Sequence, residues 1–250
     1  MSTQPRGPRT IWFLLALLFL EPGSAAPPSA QDRFVLNTPA EPPYHFADQT
    51  GILDRWMQEA FSRIGSTVVL QTLPPERALI NADQGVEDGD AVRIGGLSEK
   101  YPNLIQVPEV VYVGEFSAFA NREGVHVQGW ESLEPYHVGI IKGHKISEAN
   151  VRAARSVTAV ENLELLFTLL EKGRAEVVIA EKRFGEEHVR TRGLEGVAAL
   201  DPPLATVEFF VYLHKKHAGI LPGLASAIKG MKEDGTHQRI FDEVLGRKGD

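Results

Sequence analysis

Several charged and aromatic side chains in this chain stand at the ends of short apolar runs, where an α/β protein presents its ligand sites. Arg77 opens a helical run at the C-terminal side of an apolar strand. Arg93 lies inside a strand and needs an acidic partner, with Glu87, Asp88 and Asp90 at hand. Tyr44 and Phe46 follow the first strand and can wall a ligand, since aromatic faces suit apolar or cationic groups. His45 between them is expected to be exposed. Gly143-His144 precede a helix, whose first N–H groups favour an anion such as a carboxylate. Glu181 ends one strand and opens the next helix, a position the helix macrodipole favours for a carboxylate. Each also has a purely structural reading: a solvated surface for Arg77, an ion pair for Arg93, loop packing for Tyr44 and Phe46, an ordinary turn for Gly143-His144 and a helix start for Glu181. His214 and His217 flank two lysines at a strand end, without supporting cysteines or clustered carboxylates, so no metal is expected. No cysteine nucleophile, G-x-S-x-G elbow, P-loop or H-E-x-x-H is present, and neither catalytic residues nor a cofactor are expected.

The elements that must position these residues repeat. Pro75 to Gly85 is a helical run stopped by glycine, followed by Asp88 three positions on and a short apolar strand; Glu161 to Gly173, Glu176 and the strand to Ala180 say the same again. Two such units predict two α/β lobes built alike, with a cleft between them. Strands are expected over 33–37, 67–73, 91–95, 137–141, 156–160, 176–180 and 205–214, with a long extended segment at 110–121. Helices are expected over 52–64, 76–84, 182–192, 219–233 and 236–245, and one from an N-cap at Ser147 to about 154. Alternating strands and helices argue for largely parallel sheets.

Arg6 and Arg9, the apolar run 11–20 and the small residues Gly23-Ser24-Ala25 read as a secretory signal peptide over 1–25, with a flexible leader at 26–32. The run is shorter than the roughly 20 residues a membrane anchor needs. The chain of 250 residues has no cysteine, so no disulfide framework supports the exported protein, and the core must. Its net charge of −7, without a basic run, argues against nucleic acid or an anionic membrane as partner.

The order of these landmarks resembles the bacterial extracellular solute-binding proteins of the amino-acid-binding family, the periplasmic binding protein type 2 group. The residues that carry the resemblance are Pro43-Tyr44-His45-Phe46 with Gly51 and the Trp56–Phe61 helix; Gly85-x-x-Asp88; Val138-Gly-Ile-Ile-Lys-Gly143; Leu170-x-x-Gly173-Arg-x-Glu176; and Phe210-Val-Tyr-Leu-His-Lys-Lys followed by 221–240. The resemblance spans about residues 33 to 246. It implies a two-lobed periplasmic-binding-protein-like fold in which the chain crosses between lobes twice, near 115–121 and 205–210. Lobe 1 is then 33–118 with 208–250, and lobe 2 is 119–207. It further implies a periplasmic monomer that captures a small polar solute, an amino acid or related organic acid, and presents it to a membrane permease or sensor, with a hinge closing on the ligand. A dehydratase-like enzyme on the same scaffold is the alternative. Members of the family carry an arginine after the third strand that clamps the ligand carboxylate; here that stretch is Gly95 to Tyr101, where Ser98 is kept and only Lys100 stands near the arginine position. Arg77 or Arg93 is therefore the expected clamp, opposed by Gly143-His144, and Glu181 stands where the family has an aspartate that accepts the ligand ammonium.

Overall fold

The computed structural model describes residues 1–3, 32–121 and 124–246. The apolar run 11–20, the expected cleavage site and the leader up to residue 31 lie outside the described residues. Residues Arg33–Thr38 form β1, Ile52–Arg63 α1, Thr67–Thr72 β2, Pro75–Asp83 α2 and Gly89–Ile94 β3. After a short strand β4 (Leu104–Gln106) comes the long β5 (Tyr112–Ala120). The second unit is β6 (His137–Ile141), α3 (Lys145–Asn150), β7 (Ser156–Val160), α4 (Leu163–Glu171), β8 (Val177–Glu181) and α5 (Lys182–Arg192). The two-residue β9 (Ala198–Ala199), the long β10 (Ala205–His214) and the helices α6 (Leu221–Glu233) and α7 (Thr236–Gly246) complete it.

The repeat has a physical basis in the backbone. Gly85 and Gly173 both take left-handed φ, at 73° and 63°, and stop α2 and α4. The acid three residues on then clips its unit's first strand. Asp88 donates its N–H to the Val35 carbonyl and accepts the Val35 N–H on its carboxylate, both at 2.9 Å. Glu176 does the same with His137, at 2.9 and 3.0 Å. Within each unit the strands pair in parallel, β1 with β2 and β3, β6 with β7 and β8.

The strand order is β2-β1-β3-β10-β5-β8-β6-β7, so each unit has its own three strands and the two long strands lie between them. β5 and β10 run antiparallel to one another from Phe116↔Ala205 to Tyr112↔Phe209. β10 then continues along β3 in the first unit, and β5 continues along β8 in the second. These are the segments expected to cross between lobes. The first unit's core packs α1, α6 and α7 against its strands through Trp56, Phe61, Leu224 and Ile240; the second unit has a cluster around Phe119, Leu166 and Phe167.

One helix differs from expectation. Ser147 does not cap α3 but lies inside it, buried, with a hydroxyl that has no partner. Gly143, at φ 89°, turns the chain earlier, and the helix begins at Lys145. The Glu148 carboxylate reaches back to accept the Gly143 N–H at 2.7 Å, so the cap comes from within the helix rather than before it.

Candidate functional site

The two units meet around a small cavity of about 40 Å³, partly open to solvent. The end of β3 supplies Val92, Arg93 and Ile94; the crossing strands supply Tyr112, Phe116 and Phe209. From the second unit come Gly143 and His144, after β6, and Glu181 and Phe184, where β8 gives way to α5. All of these lie where a strand ends or where the crossing strands bend past one another, positions that strand geometry leaves facing a crevice. The rings of Tyr112 and Phe209 stack at 4.7 Å and Phe116 stands 6.3 Å from Phe209, so one wall is an aromatic surface. A second hollow shares Pro39, His144, Glu181 and Phe184 with this cavity and extends it toward α2.

Four ionisable side chains line this apolar space, Arg93, His144, Lys145 and Glu181, and they are not equivalent. Arg93 is 5% exposed and partly committed: its Nε donates to Asp90 Oδ2 at 2.8 Å, its Nη2 lies 2.7 Å from the same oxygen and also donates to the Pro75 carbonyl at 2.9 Å, and its Nη1 makes no hydrogen bond. Asp90 is fully buried, so the pair compensates its own charges. Glu181 is 2% exposed. Its Oε2 accepts the Phe184 N–H at 3.0 Å and caps α5, whereas its Oε1 is buried with no hydrogen-bond partner. That oxygen sits beside Gly114, where a Cβ would lie 3.0 Å from it and 2.9 and 3.1 Å from the rings of Phe209 and Tyr112. Burial pushes the Glu181 carboxyl up to about 7, against the opposing pull of the Phe184 N–H, the Arg183 charge and the more weakly aligned N–H groups of Arg183 and Glu115. His144 presents a buried Nδ1, also without a partner, and burial together with the Arg93 charge drives its ring down to about 3. The imidazole is therefore neutral, and its Nδ1 accepts or donates according to tautomer.

The structure brings together four of the expected site residues, Arg93, Gly143, His144 and Glu181, and places the others elsewhere. Arg77 is exposed on the outer face of α2, because Pro75, Ala78, Leu79 and Ala82 turn inward. The Ser98 hydroxyl donates to the Leu104 carbonyl at 2.8 Å and holds a turn. Phe46 is half-buried outside the cavity lining. Tyr44 is buried one layer behind the cavity, its ring 5.1 Å from both Tyr112 and Phe184, and its hydroxyl accepts from Arg183 at 2.6 Å. The N–H groups expected to hold an anion are both taken: Gly143 gives its own to Glu148 and His144 donates to the Ile141 carbonyl at 3.1 Å. His45, expected to be exposed, is 6% exposed and pairs with Asp54 at 2.6 Å, which locks the start of α1. His217 binds Asp88 at 2.7 Å and His214 Nδ1 accepts the Lys216 N–H; among the described residues no group of three metal-ligating side chains occurs. The aromatic wall is absent from the sequence-based expectations. Tyr112, Phe116 and Phe209 alternate with outward residues on β5 and β10, which period-2 reading of those strands reveals only once their partner is known.

The two units also touch at the rim on opposite sides. Lys145 pairs with Glu76 at the head of α2, and Gly143 packs so tightly there that a Cβ would lie 2.4 Å from the Glu76 nitrogen. On the other side Arg183 reaches Tyr44 and lies 5.0 Å over the Phe241 ring.

No protein-family model matches the chain. A protein of Shewanella oneidensis, described only as uncharacterized, is 23% identical over 194 residues, covering 74% of this chain and 72% of its own length. Among solved structures, a histidine kinase sensor domain with similarity to periplasmic binding proteins aligns with a TM-score of 0.76 at 17% identity, over 86% of this chain and 97% of that one. An amino-acid ABC transporter substrate-binding protein from Streptococcus pneumoniae, bound to L-arginine, aligns with a TM-score of 0.71 at 15% identity, over 86% and 94%. The fold is thus the two-lobed periplasmic binding protein type 2 fold. Among the described residues no helix is long and apolar enough to cross a membrane.

Proposed function

We propose that the protein is an extracytoplasmic solute-binding protein, with lobe 1 formed by 33–118 and 208–250 and lobe 2 by 119–207, that captures a small amino-bearing solute in the cavity between them and presents it to a membrane transporter or sensor. The observation that carries this reading is Glu181: a buried carboxylate with one oxygen satisfied and the other left without a partner in the wall of an aromatic-lined cavity. An unsatisfied buried polar atom costs about 1–3 kcal/mol, and a ligand donor removes that cost. The rim contacts at Glu76–Lys145 and Tyr44–Arg183 supply two closing points for a clam-shell motion. The solved structures of this fold described above belong to a transporter's binding protein and to a kinase sensor, so both kinds of partner suit the shape.

A second reading, an enzyme on this scaffold, rests on the same pair of groups. A carboxyl pushed up to about 7 and a neutral imidazole in the same lining are the groups that proton transfer would use. The two readings separate on one experiment. Thermal unfolding is followed with a panel of small solutes, and mass spectrometry of each stabilising solute after incubation reads any conversion. Stabilisation with unchanged solute is the expected result. Conversion makes the protein an enzyme, and a panel without any stabilising member sinks the binding reading.

A further inference from the structure

We propose that two copies of this chain pair through the free edge of β7, antiparallel and about a two-fold axis at Thr158, to form a reversible dimer. The sheet ends in β2 on one side and in β7 on the other. A strand at the end of a sheet presents a row of unpaired N–H and C=O groups, and proteins usually cover or charge such an edge. The β2 edge is covered. The Gln49 side chain, on a backbone with φ 62°, accepts the Leu70 N–H at 2.8 Å and donates to the Leu70 carbonyl at 2.9 Å, as a neighbouring strand would. Nothing among the described residues does this for β7, whose strand partner is β6 alone. The Val160 carbonyl accepts the Lys142 N–H on the β6 side. Strand groups alternate in direction, so the N–H and C=O of Val157 and Ala159 point away from β6.

The side chains of β7 suit a partner of the same sequence. The strand reads Ser-Val-Thr-Ala-Val, with neither a charge nor a proline, and its first four residues are exposed on both faces. Val157 is 42% exposed. The nearest charges stand at the two ends of the strand and are opposite in sign. Arg155 is exposed and has no ion pair among the described residues; Glu161 is exposed and lies 3.8 Å from Lys142. In the antiparallel register centred on Thr158, Arg155 of each copy faces Glu161 of the other. The same register lets Val157 and Ala159 exchange both backbone bonds across the axis, sets their side chains against one another, and leaves Thr158 facing Thr158. A slip of two residues in either direction takes both charges out of opposition. One patch thus serves both copies, as a two-fold contact requires. The contact is a single short strand, below the ~1,000 Å² of a stable interface, so the pair is reversible. It does not depend on which solute the cavity holds, and it leaves the first unit outside the dimer contact.

The test is sedimentation velocity of the protein from about 1 to about 500 μM, a range in which a weak pair forms and separates. Wild type should pass from monomer to dimer across it. Arg155→Glu and Glu161→Arg each put like charges opposite one another at both ends, and each should raise the dissociation constant at least about tenfold. An equal mixture of these two variants restores opposite charges at both ends. It should form a heterodimer with a constant within about threefold of wild type. Ala159→Pro, which removes an N–H that β6 does not use, should abolish the dimer with its melting curve still cooperative. A wild type that stays monomeric at about 500 μM overturns the inference, even if a membrane transporter or sensor binds this edge. So does a dimer that both charge variants keep within about threefold of wild type, or a mixture that stays as weak as its components. The two charge changes fall on exposed side chains, so they decide the question even where Ala159→Pro fails to fold.

Discussion

Glu181 holds a carboxyl pushed up to about 7 and an oxygen with no partner, and both features cost the fold stability. Its pKa in the fold lies above the ordinary value of 4.5, so its contribution to stability is present in full below about 4.5 and is lost as pH rises through about 7. Glu181→Gln should therefore melt higher than wild type at pH about 8, by about 1–3 kcal/mol of unfolding free energy, and close to it at pH about 4. Denaturant unfolding at both pH values checks this; a variant less stable at the higher pH would contradict it. Ligand binding should show the opposite trend, since the ionised carboxylate is the form that holds a cation. Solute affinity is expected to rise between pH about 6 and about 8 in wild type and to stay flat in Glu181→Gln, read by titration across that range. His144 works in the other direction: its ring is lowered to about 3, so its contribution to stability is present above about 6.5 and fades as pH falls toward 3. The residue types at this site are legible in the sequence, but their availability is not. Arg93 has three acids within the six positions before it, and only the fold shows that Asp90 takes it. Arg77 is separable in principle, because the inward set Pro75, Ala78, Leu79 and Ala82 leaves it on the outer face of α2.

At the scale of elements, the repeated glycine-to-acid spacing is the most reliable signal in the chain. It is legible because both copies do the same job, stopping a helix and then clipping the first strand of the unit at both its N–H and its carbonyl. The start of α3 escapes sequence reading for a related reason. An N-cap is sought before a helix, and here the carboxylate that closes the turn, Glu148, lies inside it. The turn at Gly143 matters for closure as well as for α3. With φ at 89°, and with a Cβ on Gly143 falling 2.4 Å from the Glu76 nitrogen, any side chain there pushes the second unit away from α2. Gly143→Ala should therefore stay folded, lose about 1 kcal/mol or more of stability, and bind the solute at least about tenfold more weakly. Titration and thermal unfolding of the variant test this; wild-type affinity would show that α2 and the Gly143 turn need not meet.

On the scale of the whole molecule, the two units share a sheet only through β5 and β10 among the described residues, while the larger buried cluster runs on from Phe34 and Leu213 in the first unit to Val138 and Ile179 in the second. That topology is foreseeable from the order of landmarks along the chain. The aromatic wall at its centre is not, because inward and outward positions of two crossing strands become defined only by their pairing register. A solute that bridges the units adds stability by mass action, about 2.7 kcal/mol at a hundredfold excess over its dissociation constant. Closure of the two units on a small solute held at Glu181 is tested most directly by small-angle scattering with and without the solute that stabilises the protein most. The radius of gyration should fall on saturation in wild type and stay unchanged in Gly143→Ala. An unchanged radius in saturated wild type would contradict closure of the two units on their ligand.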